Sequence, residues 1–266
     1  MMFSVKDKIA LVTGGSRGLG FYAAHGLLAA GAAKVYISSR SGPACEKASN
    51  ELNADPKISG QAVPIAGNFA NVDDIKRVFE FIEKDSGGKL DIVVANAGAT
   101  WGSPLETHPA QAFDRVFDLN VKGVFLTVQA AAPLLAQSGD AYDPARVIVV
   151  GSVTGLSITS NGGGGTYGYL ASKAAVHHLA KSLAVELGPR NITVNVIAPG
   201  FFPTKMANGL IDMIGSETLA EINPRGRLGL PEDIEGILVY LCSKAGAYVN
   251  GAVIPLDGGQ HLVSKL

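Results

Sequence analysis

An α/β fold, a doubly wound parallel sheet of about seven strands with helices on both faces, is what this sequence predicts. Three observations carry it. Short apolar runs alternate with longer helical stretches along all 266 residues, the pattern of repeated strand–helix–strand units. Most of the runs are rich in Val and Ile and lack polar alternation, as strands covered on both faces do. No linker, low-complexity block or internal repeat divides them, so residues 1–266 read as a single domain.

The first strand is expected at Lys8 to Thr13 (KIALVT), running into TGGSRGLG and a helix over residues 18–31. Lys34 to Ser39 (KVYISS) is the second strand, followed by a helix over 43–54; Gln61 to Ala66 is the third, followed by a helix over 72–86. Asp91 to Ala95 forms the fourth, and the long apolar stretch 109–137 follows it. Arg146 to Gly151 precedes a helix over 166–188, and Thr193 to Ile197 is the sixth strand. Residues 201–224, with FFPTKMANGL and Pro224, look like an inserted helical lid; a helix over 231–243 and the strand Ala252 to Leu256 complete the pattern.

Composition narrows the function. With 47% hydrophobic and 17% charged residues the chain is compact rather than disordered. Its net charge of −1, with Lys and Arg thinly spread, argues against a nucleic-acid or anionic-membrane binder. Cys45 and Cys242 have neither disulfide nor metal-ligand spacing, so no metal is expected. The opening MMFSVKDKIALVTGG is neither a signal peptide nor a membrane span, which reads as a cytoplasmic protein.

Thr13 to Gly20 places Gly14, Gly18 and Gly20, with Ser16, Arg17 and Leu19 among them, between the first strand and the first helix. Glycines there let the backbone approach phosphate, and the helix start offers unpaired N–H groups and a positive dipole end. In that position the loop predicts a dinucleotide site. The second strand ends VYISSRS, where an acidic residue would hold the ribose hydroxyls of NAD; Ser38, Ser39 and Arg40 stand there instead. Guanidinium groups at Arg17 and Arg40 suit a 2′-phosphate, so NADPH/NADP+ is expected over NADH.

The TGxxxGxG spacing at 13–20, Asn96-Ala97-Gly98, Asn120 in FDLNVKG, Ser152, a YxxxK element and PGFFPT at 199–204 together resemble the short-chain dehydrogenases/reductases, over essentially the whole chain. AGATWG, PARVIVVGSVTG, IAPGFFPTKM and GAVIPLDGG are most similar to 3-oxoacyl reductases of the rhamnolipid-synthesis type. The resemblance implies a Rossmann-like fold and a carbonyl reductase. It also implies that Asn120 holds a water leading from the lysine to solvent, and that Lys173 bonds the nicotinamide ribose. Asn96, Ala97 and Gly98 would line the adenosine side. Pro199, Gly200, Phe202 and Thr204 would close over the nicotinamide. Where many relatives read the adenine amine with Asp and an apolar residue, this chain has Asn68 and Phe69.

Reducing a ketone takes a hydride to carbon and a proton to oxygen, and the proton must come from a protein acid. Lys173 lies four residues after Tyr169, so a helix puts both on one face, whereas Tyr167 is six residues away. That spacing selects Tyr169 as the acid, its phenol pKa lowered by the lysine charge. Ser152, after the fifth strand, is the candidate for holding the carbonyl oxygen, with Ser157 and Ser160 as rivals.

For the substrate, Trp101, Phe201 and Met206 are the expected contacts, and an aromatic mouth suits an acyl chain or hydrophobic ketone as well as these rings suit simple packing. AAAPLLAQSGDAYDPAR lacks a basic residue before Arg146, which weakens delivery by an acidic carrier protein. A polyol/ketose dehydrogenase is the alternative, and an inert NADP(H)-binding sensor the remote one. Helices with Ala and Leu on several faces at 121–136 and 170–187 suggest, with the family, a homo-oligomer, dimer or tetramer. Gly162 to Gly165 lengthen the loop between Ser152 and Tyr169, as an idle insertion or a substrate-side flap.

Overall fold

The computed structural model describes residues 2–158, 165–205 and 215–263. A seven-stranded sheet runs through them in the order β3-β2-β1-β4-β5-β6-β7, every adjacent pair parallel. The strands are β1 Ile9–Thr13, β2 Lys34–Ser39, β3 Gln61–Ala66, β4 Ile92–Ala95, β5 Ala145–Val150, β6 Ile192–Pro199 and β7 Val253–Leu256. The helices are α1 Gly18–Ala29, α2 Gly42–Asn53, α3 Val72–Ser86, α4 Ala110–Phe117, α5 Gly123–Ser138, α6 Tyr167–Leu187, α7 Ser216–Glu221 and α8 Pro231–Cys242.

The sheet grows outward from β1 in one direction through β3, then restarts on the other side of β1 with β4. The carboxyl ends of β1 and β4 are therefore neighbours, Thr13 level with Ala95, and a crevice opens where the chain direction splits. Alternate strand residues feed two cores. Leu11, Val93, Val147 and Val149 face a layer with α3, α5 and α6, while Ala10, Val12, Ile92, Val94 and Ile148 face α1, α2 and α8. Each fully buried aliphatic side chain contributes roughly 1.5–3 kcal/mol.

Local chemistry sets the boundaries. Asn71 caps α3 by accepting from the N–H groups of Asp73 and Asp74, and Gly87 ends that helix at φ 67°. The stretch expected as one helix over 109–137 is instead α4 and α5 joined by a π-helical turn at Asp118–Lys122. Ala110–Ser138 is long and apolar enough to cross a membrane by composition, but half of its most apolar window is buried inside the protein. In the expected lid, α7 is the described helix; Met206, Ser160 and Gly162 to Gly164 lie outside the described residues.

Candidate active site

The glycine loop is built for a close approach. Gly14 (φ 64°) and Gly18 (φ 56°) take backbone conformations that side chains disfavour. A Cβ on Gly14 would stand 2.8 Å from the Asn96 amide nitrogen, and one on Gly18 would touch Thr204 at 3.4 Å, so the loop after β6 leans over the glycine loop. Asn96 braces it: its side chain donates to the carbonyls of Thr13 (2.9 Å) and Gly14 (3.1 Å). Thr13 returns the support, its hydroxyl accepting from the N–H groups of Asn96 and Ala97. The sequence marks Thr13 as the start of the glycine motif, but its bracing of Asn96 depends on β1 lying beside β4.

Helix α1 begins without a side-chain cap and without an acidic residue in its first turn, leaving its first N–H groups for an external anion. Arg17 and Arg40 are both exposed, and among the described residues neither forms an ion pair. Ser39 turns its hydroxyl toward Cys45 Sγ (3.1 Å) and the Ser41 carbonyl. Asn68 uses its Oδ1 to accept from Ala70 N–H. Phe69, expected beside an adenine, is 3% exposed and packs in the core, which leaves only its backbone for that role.

The second cluster lies beyond β4 and β5. Tyr169, partly buried on α6, faces Ser152, and hydrogen bonding from that serine pulls its phenol pKa down while burial, the larger effect, holds it above the ordinary value. Lys173 Nζ lies 5.5 Å from the Tyr169 ring centroid but donates to the Val150 carbonyl at 2.7 Å. Burial lowers the lysine pKa to about 8. The phenol, expected below its ordinary value, thus stands above it, because burial outweighs the Ser152 hydrogen bond, while the ammonium donates to a carbonyl. Gly98 sits where a Cβ would be 3.8 Å from Lys173 Nζ and 3.3 Å from Asn120 Oδ1.

Asn120 is anchored by three hydrogen bonds. Its amide is spent on the backbone of Ala99, accepting from N–H at 2.8 Å and donating to C=O at 2.9 Å, and on Ser172 Oγ at 3.0 Å. Buried in the π-helical turn, the side chain ties the loop after β4 to α6. Ser172 in turn donates to the Tyr169 carbonyl. Of the rival groups, Tyr167 packs edge-on against His108 and against Gly165, and the Ser157 hydroxyl turns back to the Val153 carbonyl. Trp101 is 48% exposed on the loop after β4. Phe201 and the buried Phe202 border a cavity of about 210 Å³, with Asn223, Arg225 and Asp257 also in its walls, to which neither Ser152 nor Tyr169 contributes. The Phe202 ring also packs against Gly229, at the edge of the core that holds α8.

Residues 8–214 match the family described as short chain dehydrogenase. The chain belongs to this family. Among relatives of this dehydrogenase, the rhamnolipids biosynthesis 3-oxoacyl-[acyl-carrier-protein] reductase of Pseudomonas aeruginosa is 42% identical over 261 residues, covering 98% of each chain. A 3alpha-hydroxysteroid dehydrogenase of Mediterraneibacter gnavus is 35% identical over 97% of this chain and 98% of its own. The solved Pseudomonas aeruginosa RhlG/NADP active-site complex superposes with a TM-score of 0.90 at 41% identity, again over 98% of both chains. The short-chain dehydrogenase is therefore an oxidoreductase acting between CH–OH and C=O, with a nicotinamide cofactor. Its own residues fit that group: a glycine cradle, an uncapped helix start and two guanidiniums without an ion pair among the described residues, together with the Tyr169 cluster.

Proposed function

We propose that this dehydrogenase uses NADPH to reduce a hydrophobic ketone, of the 3-oxoacyl thioester class, to a secondary alcohol. The observation that carries the reaction is the convergence of Tyr169, Ser152 and Lys173 beyond the carboxyl ends of β4 and β5, the edge where open parallel sheets bind ligands. The bound cofactor supplies hydride. Ser152 holds the carbonyl oxygen and offers a hydrogen bond to the charge that develops there. Tyr169, its phenol kept protonated by burial, donates the proton to that oxygen. Lys173 carries a positive charge below about pH 8 beside the tyrosine ring and favours the phenolate left behind.

NADPH is favoured by Arg17 and Arg40, two guanidiniums without a carboxylate partner among the described residues. The acyl class is favoured by exposed apolar side chains on the loops after β4 and β5: Trp101 (48%), Leu105 (66%), Leu156 (43%) and Ile158 (87%). Carrier delivery gains nothing from Arg146, which is 1% exposed and bonded to the carbonyls of Leu241 and Ser243. A coenzyme A thioester or free ketone is the substrate form we favour. The enzyme would assemble as a dimer or tetramer through the outer faces of α5 and α6, where Phe125 and Val185 are exposed.

The test is a panel of 3-oxoacyl-coenzyme A thioesters, free ketones and polyols assayed with NADPH and NADH. Saturable NADPH oxidation that improves with acyl length is expected. Faster NADP+ reduction with polyols would replace this reading by a polyol dehydrogenase. Arg17→Ala with Arg40→Ala should raise the KM for NADPH by about 10- to 100-fold, the loss of charge-assisted phosphate bonds, and leave NADH nearly unaffected.

A further inference from the structure

We infer that His177 is a positioning residue for Ser152: its neutral imidazole accepts the Ser152 main-chain N–H and thereby sets where the serine hydroxyl points. The inference rests on the reading of Ser152 as the group that holds the substrate carbonyl. Tyr169, Lys173 and His177 follow one another at four-residue intervals on α6, so one helix face carries all three. His177 is 5% exposed, and its Nε2 lies 3.3 Å from Ser152 N.

The need for this bond follows from where β5 ends. Gly151 N–H still donates across the sheet to the Ile197 carbonyl at 2.8 Å, but Ser152 lies beyond the strand, and the imidazole takes its N–H instead. An amide N–H can only donate, so Nε2 must be unprotonated and the ring proton must sit on Nδ1. Burial and the positive charges of Lys173 and Lys181 hold the ring neutral. The loop GSVTG is shaped around the ring. A Cβ on Gly151 would collide with Nε2, and one on Gly155 would lie 2.6 Å from Cε1 and 2.9 Å from Nδ1.

Held this way, Ser152 keeps an extended backbone (φ −168°, ψ 152°). Its Oγ accepts from Thr154 N–H at 3.2 Å and from the Thr154 hydroxyl at 2.9 Å. With both of those acceptor positions filled, the serine's own hydrogen is the part left to donate, toward the Tyr169 oxygen or, with substrate present, a carbonyl oxygen. His177 Nδ1 is buried with no partner among the described residues. An orphaned buried donor is a cost that a leucine of similar size would avoid, so packing alone does not explain a histidine here.

The test is a double-mutant cycle with Ser152→Ala, using the carbonyl compound of highest wild-type turnover and NADPH oxidation as readout. His177→Leu is expected to lower kcat by about 10- to 100-fold while NADPH affinity, read by fluorescence titration, stays within about 2-fold. His177→Gln, whose amide oxygen can reach the position of Nε2, should recover most of that loss. In the Ser152→Ala background His177→Leu should cost less than about 3-fold, because the group it positions is gone. Equal losses in the two backgrounds, full activity in a folded His177→Leu enzyme, or a Gln variant no better than Leu would each overturn the inference. If the Leu variant does not fold, His177→Asn replaces it: the shorter amide should behave as a loss, and Asn equal to Gln overturns the inference. A wild-type enzyme inactive on every carbonyl tested overturns the ketone reading and this inference with it, whereas an active wild type with an active His177→Leu overturns this inference alone.

Discussion

At Tyr169 two opposed influences meet: burial holds the phenol protonated, and the serine facing it eases ionisation. A group of that kind is a proton donor whose spent form needs a nearby positive charge, and Lys173 stands 5.5 Å from the ring centroid. Tyr169→Phe should lower turnover by about 10²- to 10⁴-fold in a steady-state assay, the usual contribution of a general acid. Tyr167→Phe should leave it near the wild-type value, since Tyr167 packs against His108. The preference for Tyr169 was legible from its spacing to the lysine. The burial and partners of Asn120, Phe69 and Phe202 were not, because both depend on residues distant in sequence.

Two elements carry most of the site. The glycine loop is held by the Asn96 side chain across the β1–β4 crevice. Asn96→Ala should weaken NADPH binding by about 10-fold, the equivalent of one to two lost hydrogen bonds, with kcat at saturating cofactor unchanged; fluorescence titration beside steady-state kinetics checks it. Helix α6 buries Lys173 with no carboxylate partner among the described residues and a pKa of about 8. The folded pKa lies below the unfolded one, so the unfolded chain binds the extra proton between about pH 8 and 10.5, and stability rises with pH through that window. Below about pH 8 the buried charge costs on the order of 1 to 3 kcal/mol, allowing for the Val150 contact. Lys173→Met should therefore be inactive yet melt higher than wild type at pH 7, with the difference closing above pH 10.5.

Across the whole molecule the two ends of the sheet divide the work. The carboxyl ends bear the cofactor cradle and the Tyr169 cluster, while the amino ends are closed by a charged network that touches neither. There Lys8 pairs with Asp143 at 2.8 Å, Asp143 with Arg146 at 3.1 Å, and Asp91 accepts from Ile9 N–H at 2.8 Å. Arg146 donates to the carbonyls of Leu241 and Ser243 as well, locking β5 to the end of α8. Arg146→Ala should cost about 1–3 kcal/mol, the penalty of leaving the Leu241 and Ser243 carbonyls without their donor, since Asp143 keeps Lys8. Denaturant unfolding should show that loss, while kcat of the folded fraction stays unchanged.

Some of this protein was determined by local sequence alone: the strands, whose apolar runs have no other stable place than a covered sheet, the glycine loop, whose backbone angles only glycine adopts readily, and the Tyr169–Lys173 pair, which helical geometry aligns. The π-helical turn at Asp118–Lys122, the bracing of Thr13 and Asn96, the use of Asn120 on Ala99, and the imidazole under Ser152 were decided by tertiary structure. Each depends on which strand ends lie side by side. That order, β1 next to β4 and β4 next to β5, arises from packing over the whole sheet and is written in no single stretch of the chain.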